Sequence, residues 1–267
     1  MKRLFTFGCS MTRYIWPTWA DMLGQKYDHF ENWGNSGIGN RAILERLTEC
    51  VINNNITADD TIIVQWTEFH RFDIHLPRPL LPEGWGQAGN LLHRNDIQWI
   101  KDCWDERSYM MHTLNFINLG VKLLSSLPCK WYMTTINDLH EVTKHYLEFT
   151  NYNEVFYHKN FLPPMSNFFD QYDFPKKKLI NDKGILDDDE HPPPIGHYGW
   201  VVENLSPILG ITVDESWATT ANEILFENCS RYIEVNDQYI KRLGWSRTQN
   251  WIYGVLENGS LYYLNKS

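Results

Sequence analysis

Thr61-Ile62-Ile63-Val64-Gln65-Trp66 is a nearly continuous β-branched run with no charge in it. A strand with one face in water alternates apolar and polar residues; a run without alternation belongs to a strand covered on both faces, the signature of a parallel sheet buried between helices. Upstream, Leu4-Phe5-Thr6-Phe7 is β-prone and stops at Gly8, predicting a first strand that delivers Cys9-Ser10 into a loop. Trp16-Pro17-Thr18-Trp19-Ala20-Asp21-Met22-Leu23 predicts a helix with Pro17 in its first turn. A second strand is expected near His29 to Trp33, followed by the glycine-rich Gly34-Asn35-Ser36-Gly37-Ile38-Gly39-Asn40. From Arg41, the residues Ile43, Leu44, Leu47, Val51 and Ile52 repeat as one helix face. Downstream, a helix over Asp105 to Ser125 precedes another buried strand, Lys130 to Ile136. Strands alternating with helices predict a three-layer α/β/α fold with a short parallel sheet.

The remaining segments set the domain plan. Residues Pro77 to Asn95 are rich in Pro and Gly and are expected to form a long binding loop or lid. Leu139 to Asp187, with Pro163-Pro164 and Pro175, is expected to be an insertion of mixed structure, and Val201, Val202, Leu205 and Ile208 predict a closing helix after His197. From Ile211 the texture changes, and Asn258-Gly259 between two apolar runs is a strong hairpin signal. The expected plan is therefore an α/β domain over residues 1–210, with insertions near 77–95 and 139–187, and a small C-terminal α+β appendage over 211–267.

Composition narrows the function. The chain has 267 residues, 43% hydrophobic and 21% charged, which places it among globular proteins and not disordered ones. No stretch approaches the ~20 apolar residues of a membrane span, and the apolar run after Met1-Lys2-Arg3 is too short for a signal peptide, so a cytoplasmic protein is expected. A net charge of -9 repels phosphate backbones and excludes nucleic acid and membrane surfaces as expected partners. Lys176-Lys177-Lys178, the one basic run, is expected to be a solvated loop. The five cysteines are odd in number and never in Cys-x-x-Cys spacing, which argues against a disulfide framework and a structural zinc site. The 12 Trp, 14 Tyr and 13 Phe require an aromatic core or stacking surfaces for a ligand.

In parallel α/β sheets ligands bind outside the carboxyl ends of the strands, so the polar residues just past each strand matter most. These are Ser10, Ser36-Gly37, Thr67-Glu68 and the segment from Asp187 to His197. A serine nucleophile needs a base, the base needs a carboxylate to fix its tautomer, and the oxyanion needs aimed N–H donors. Taken in order, Gly8-Cys9-Ser10, Asn32-Trp33-Gly34-Asn35-Ser36-Gly37, and Asp188-Asp189-Glu190-His191-Pro192 with Gly196-His197 resemble the blocks of the SGNH, or GDSL-type, hydrolase superfamily. The resemblance covers roughly residues 3 to 210 and implies the flavodoxin-like fold of that superfamily. It implies Ser10 as nucleophile, His191 as general base, Asp188 as the carboxylate that orients it, and the Ser10 and Gly37 N–H groups as oxyanion donors. Two positions depart from the pattern. The superfamily's third block carries an Asn that donates to the oxyanion, where this chain has Gln65-Trp66-Thr67-Glu68, leaving Thr67 as a shorter donor. Loss of one such donor costs about 3–4 kcal/mol of transition-state stabilisation. Cys9 replaces the Asp of the first block, and Asn137-Asp138 lies one strand too late to supply the missing Asn.

The expected function is hydrolysis of an O-acyl ester, on a small molecule or a glycan and with the acetyl ester of a carbohydrate as first candidate, by a serine esterase that needs no cofactor and no metal. Arg71 and Trp66 are candidate substrate-binding residues, although Arg71 also has Asp73 and Glu68 within reach in sequence. Trp16, Trp19 and Trp33 lie near the same loops, as core or as a stacking wall. Two alternatives stay open. A non-enzymatic carbohydrate-binding or assembly protein on the hydrolase scaffold would explain the missing Asn, the aromatic abundance and the C-terminal appendage. A metal-dependent phosphoesterase would use Asp187 to His191. Gly34, Gly37 and Gly39 do not form Gly-x-Gly-x-x-Gly, and His70, His75 and His93 lack ligand spacing.

Overall fold

A computed structural model describes residues 1–75, 85–90, 98, 102, 105–180, 186–227, 232–246, 253–255 and 261–263. Its centre is a four-stranded, all-parallel sheet of β1 (Arg3–Phe7), β2 (His29–Asn32), β3 (Thr61–Trp66) and β6 (Lys130–Thr135), in the order β2-β1-β3-β6. Leu4, Phe5, Phe7, Ile62, Ile63, Val64, Trp66 and Met133 are all fully buried, as a sheet covered on both faces requires. The chain runs from β1 outward to β2, then crosses back to β3 on the other side of β1. That reversal puts the topological switch point at the carboxyl ends of β1 and β3.

Helices cover both faces in two packed sets. One is α2 (Asn40–Asn53) against α3 (Glu106–Ser125). The other joins α1 (Trp19–Gly24), α5 (Pro194–Trp200) and α6 (Glu215–Phe226). The helix α1 starts one turn-position later than expected. Thr18 is its N-cap and Asp21 reaches back to the Thr18 N–H at 2.9 Å, so Pro17 precedes the helix instead of occupying its first turn. α5 opens on Pro194, runs into a π-helical turn over Val201–Leu205 and a final turn Ser206–Leu209, and ends on Gly210 at φ +66°. His197 thus lies inside the closing helix, not ahead of it.

Two antiparallel ladders flank the sheet domain's expected insertions. β4 (Arg71–His75), just ahead of the stretch 77–95 expected to be a long loop, pairs with β5 (Trp85–Asn90) inside it; residues 76–84 and 91–95 lie outside the described ones. β7 (Lys177–Ile180) pairs with β8 (Leu186–Asp189), in a register that sets Lys177 opposite Asp189 and Lys178 opposite Asp188. The basic run and the acidic run, each unlike a strand alone, are opposite partners in one hairpin, where facing unlike charges favour pairing. Between β6 and β7 lie short helical turns, among them α4 (Leu139–Thr143), and Phe161 forms a single parallel bridge to Met133.

Beyond residue 211, Val213 and Ala218 join the main core, while Ala221, Ile224, Leu225, Tyr239 and Trp245 form a second cluster with Ile15 and Trp16. Tyr239 belongs to α7 (Tyr232–Leu243). The strands β9 (Tyr253–Val255) and β10 (Leu261–Tyr263) pair antiparallel, and the Asn258-Gly259 turn between them lies outside the described residues. Cys9, Cys50 and Cys129 are buried free thiols; Cys103 and Cys229 are not among the described residues.

Candidate active site

The chain leaves β1 through a tight turn in which the Thr12 and Arg13 N–H groups donate to the Cys9 carbonyl at 3.0 and 3.1 Å. Gly8 is required here. A Cβ on it would meet Thr12 Oγ1 at 2.1 Å and the Gln65 carbonyl at 3.0 Å. Gln65, buried at the end of β3, braces the turn by accepting from the Cys9 N–H at 3.3 Å and the Thr12 hydroxyl at 3.2 Å. Ser10 is thereby set on a rigid support, with its residue only 6% exposed.

The Ser10 Oγ lies 2.7 Å from His191 Nε2, 181 positions further along the chain. The other ring nitrogen, Nδ1, lies 2.8 Å from Asp189 Oδ1. A carboxylate only accepts, so Nδ1 carries the proton and Nε2 offers its lone pair to the serine hydroxyl. Asp189 Oδ1 also accepts from the His191 backbone N–H at 2.9 Å, and Oδ2 accepts from the Tyr14 hydroxyl. Burial works to raise the Asp189 pKa, but the hydrogen bonds and charge of His191 and the Tyr14 hydroxyl outweigh it and hold the carboxyl below its ordinary range.

The expected orienting residue was Asp188; the carboxylate on the imidazole is Asp189. Neighbours in a strand point to opposite faces. Asp189 turns inward and is buried, whereas Asp188 is exposed and its Oδ1 lies 3.6 Å from Lys178 Nζ across the hairpin. The spacing is Asp-x-His, one residue shorter than the block it resembles, and an acidic run gives no sign of which carboxylate faces in until the hairpin fixes the pleat.

Sequence reading also missed Tyr14. Its ring stacks on His191 with centroids 3.9 Å apart and planes at 21°, and Trp16 packs edge-on against it at 4.6 Å and 84°. The Trp16 Nε1–H donates to the Pro192 carbonyl at 3.0 Å, tying the residue after His191 to the loop after Ser10.

The loop after β2 lies against the same turn. The Asn35 N–H donates to the Gly8 carbonyl at 3.0 Å and the Ser36 hydroxyl to the Arg13 carbonyl at 3.0 Å, which brings Gly37, at φ +83°, beside the serine turn. Among the described residues neither the Ser10 nor the Gly37 N–H donates a hydrogen bond. Past β3, Asn40 grips the Thr67 backbone from both sides: its Oδ1 accepts from the Thr67 N–H at 2.8 Å and its Nδ2 donates to the Thr67 carbonyl at 2.9 Å. The Thr67 Oγ1 is buried without a partner.

Trp66, expected as a candidate substrate-binding residue, lies in the core. It is fully buried, its Nε1–H donates to Met133 Sδ at 3.3 Å, and a Cβ on Gly120 would touch its ring at 2.7 Å. Trp16, Trp19 and Trp33 are likewise fully buried. Arg71 lines a cleft of about 410 Å³ with Asn40, Phe69, Phe72, Tyr109 and Phe116; neither Ser10 nor His191 lines it. Its Nη1 donates to the Ile38 carbonyl at 3.3 Å.

His197 is 1% exposed and its pKa falls to about 3 because burial disfavours the charged ring and His191 lies near. Among the described residues, no three His, Cys, Asp or Glu side chains are gathered as a metal site would need; the Asp187 and His75 side chains and His93 lie outside that description. No described helix is long and apolar enough to cross a membrane.

No family model matches the chain, and no curated protein does. Among solved structures, it is similar to a member of the lipolytic protein G-D-S-L family from Veillonella parvula, at 12% identity and a TM-score of 0.40, over 74% of this chain and 92% of that one. It is also similar to protein YXIM from Bacillus subtilis, at 11% identity and a TM-score of 0.34, over 91% of this chain and 57% of that one.

Proposed function

We propose that the chain is a serine ester hydrolase with Ser10 as nucleophile, His191 as general base and acid, and Asp189 as the carboxylate that fixes the imidazole. The observation that carries this reading is the continuous relay Ser10 Oγ, His191 Nε2, His191 Nδ1, Asp189 Oδ1, with links of 2.7 and 2.8 Å. Its three residues come from the loop after β1, the end of β8 and the turn before α5, and Ser10 and His191 are 181 positions apart in the chain.

In the proposed reaction His191 Nε2 takes the hydroxyl proton as Ser10 Oγ bonds to the ester carbonyl carbon. The Ser10 and Gly37 N–H groups, with the Thr67 hydroxyl as a third donor, receive the negative charge that develops on the carbonyl oxygen. The intermediate collapses as the alkoxide leaves with the proton from Nε2, giving acyl-Ser10 and the free alcohol. Water then attacks the acyl group while Nε2 takes its proton, and collapse returns that proton to Ser10 and releases the carboxylic acid.

The substrate class follows from the family resemblance: a small O-acyl ester, with an acetyl group on a sugar hydroxyl as the first candidate. The reading of the chain as a binding protein loses one of its supports, because Trp16, Trp19, Trp33 and Trp66 are core side chains and form no stacking wall. Turnover of aryl acetates and acetylated sugars by the wild-type chain, abolished in Ser10→Ala and in His191→Ala, is the expected result. Equal turnover by wild type and Ser10→Ala would refute the serine mechanism.

A further inference from the structure

One aromatic side chain touches both ends of the histidine–carboxylate pair. The Tyr14 hydroxyl donates to Asp189 Oδ2 and leaves Oδ1 to the two N–H groups of His191. The same residue lays its ring flat on the imidazole, 3.9 Å between centroids and 21° between planes. Trp16, fully buried, holds that ring edge-on. One side chain thus reaches the carboxylate through its hydroxyl and the imidazole through its ring face.

We propose that Tyr14 is a positioning residue for the ester hydrolysis, its π face stabilising the imidazolium that His191 becomes as Ser10 attacks and its hydroxyl anchoring the Asp189 carboxylate. The proposal rests on the serine-hydrolase reading. The face of an aromatic ring is negative and attracts a cation lying on it. An uncharged imidazole gains little from that face; once Nε2 takes the Ser10 proton the attraction switches on, so it acts in the transition state more than in the ground state. The groups around the imidazole leave Tyr14 that task. Asp189 from β8 supplies the counter-charge, and Ser10 is the proton donor. His197 on α5 stays neutral in its buried site. Glu190 pairs instead with Lys176, at 3.0 Å.

Three replacements separate the parts. Tyr14→Phe removes the hydroxyl and keeps the ring; Tyr14→Leu removes both; pentafluorophenylalanine in place of Tyr14 keeps the shape of Phe and reverses the potential of its face. Rates are expressed per active site, counted by fluorophosphonate titration, so that a fraction of misfolded protein does not register. The expected result is a kcat about 3-fold lower in Tyr14→Phe and about 30-fold lower in Tyr14→Leu with KM unchanged, the fluorinated ring falling about 10-fold below Phe. NMR titration of the His191 ring gives a readout that needs no turnover: its protonation shifts to lower pH in Tyr14→Leu and in the fluorinated variant than in Tyr14→Phe.

An active enzyme whose kcat per site and His191 titration are the same with Phe, Leu and the fluorinated ring would overturn the role of Tyr14. Should Tyr14→Leu fail to fold, the comparison of Phe with its fluorinated form decides the question alone. A wild-type chain that takes no label and hydrolyses no ester would instead overturn the hydrolase reading itself.

Discussion

Asp188 and Asp189 are adjacent, chemically identical and opposite in situation, one paired in solvent with Lys178 and the other buried on the imidazole of His191. Replacing Asp189 by Asn leaves an amide that can hold the ring in the wrong tautomer, so kcat is expected to fall on the order of 10³-fold or more. Asp188→Asn removes an exposed ion pair and should leave steady-state rates within about 2-fold. The reverse pattern would return the orienting role to Asp188. Thr67 makes a second test, because its hydroxyl is buried with no partner. Thr67→Val removes that unsatisfied group at similar shape, so thermal denaturation should show the variant at least as stable. If the hydroxyl serves the oxyanion, kcat nevertheless drops by about 10²-fold; an unchanged kcat would remove Thr67 from the hole. Ser10 and His191 were legible in the sequence because strand-end position and neighbouring motifs mark them. Tyr14 was not, because its partners lie 175 and more positions away and no local spacing encodes a stack.

Elements explain which parts of the fold could be read early. The strand Thr61–Trp66 was legible to the residue because a strand buried on both faces reads as a nearly continuous β-branched run with no alternation and no charge. The hairpin of β7 and β8 was not, since lysine and aspartate runs are poor strand formers alone and only their pairing makes the ladder. The Pro- and Gly-rich composition around residues 77–95 likewise hid the ladder of β4 with β5. Two predictions belong at this scale. Gly8→Ala drives a Cβ into Thr12 and Gln65 and should cost about 2–3 kcal/mol of stability, read by urea unfolding, together with most of the activity as the serine turn shifts. Asp73 on β4 accepts from the Gly39 N–H at 2.6 Å and the Ala42 N–H at 3.0 Å, capping α2 from another element. Asp73→Ala is expected to lower stability by about 1–2 kcal/mol; an unchanged unfolding midpoint would show that water satisfies those N–H groups equally well.

At the scale of the molecule, the relay depends on the sheet's topology, because β1 at the centre and the hairpin before α5 must meet over the carboxyl edge of the sheet. Acid should reveal how that assembly is held. The buried His197 protonates in the folded state only near pH 3, whereas in the unfolded chain it does so at its ordinary value of 6.5. The unfolded state therefore binds more protons throughout that window, and stability falls as pH drops from about 6.5 towards 3. The Asp189 carboxyl, lowered in the folded state, adds a loss at the acid end. Urea unfolding from pH 7 to 4 should show this slope, and His197→Phe should flatten it; an unchanged slope in that variant would place the acid sensitivity elsewhere. The central claim, that a serine at the end of β1 is activated by a distant histidine, is met most directly by mass mapping of a fluorophosphonate adduct on the whole chain. The account predicts one adduct, on Ser10, formed in the wild type and lost in His191→Ala. An adduct on another residue, or one that forms on Ser10 as fast without His191, would contradict it.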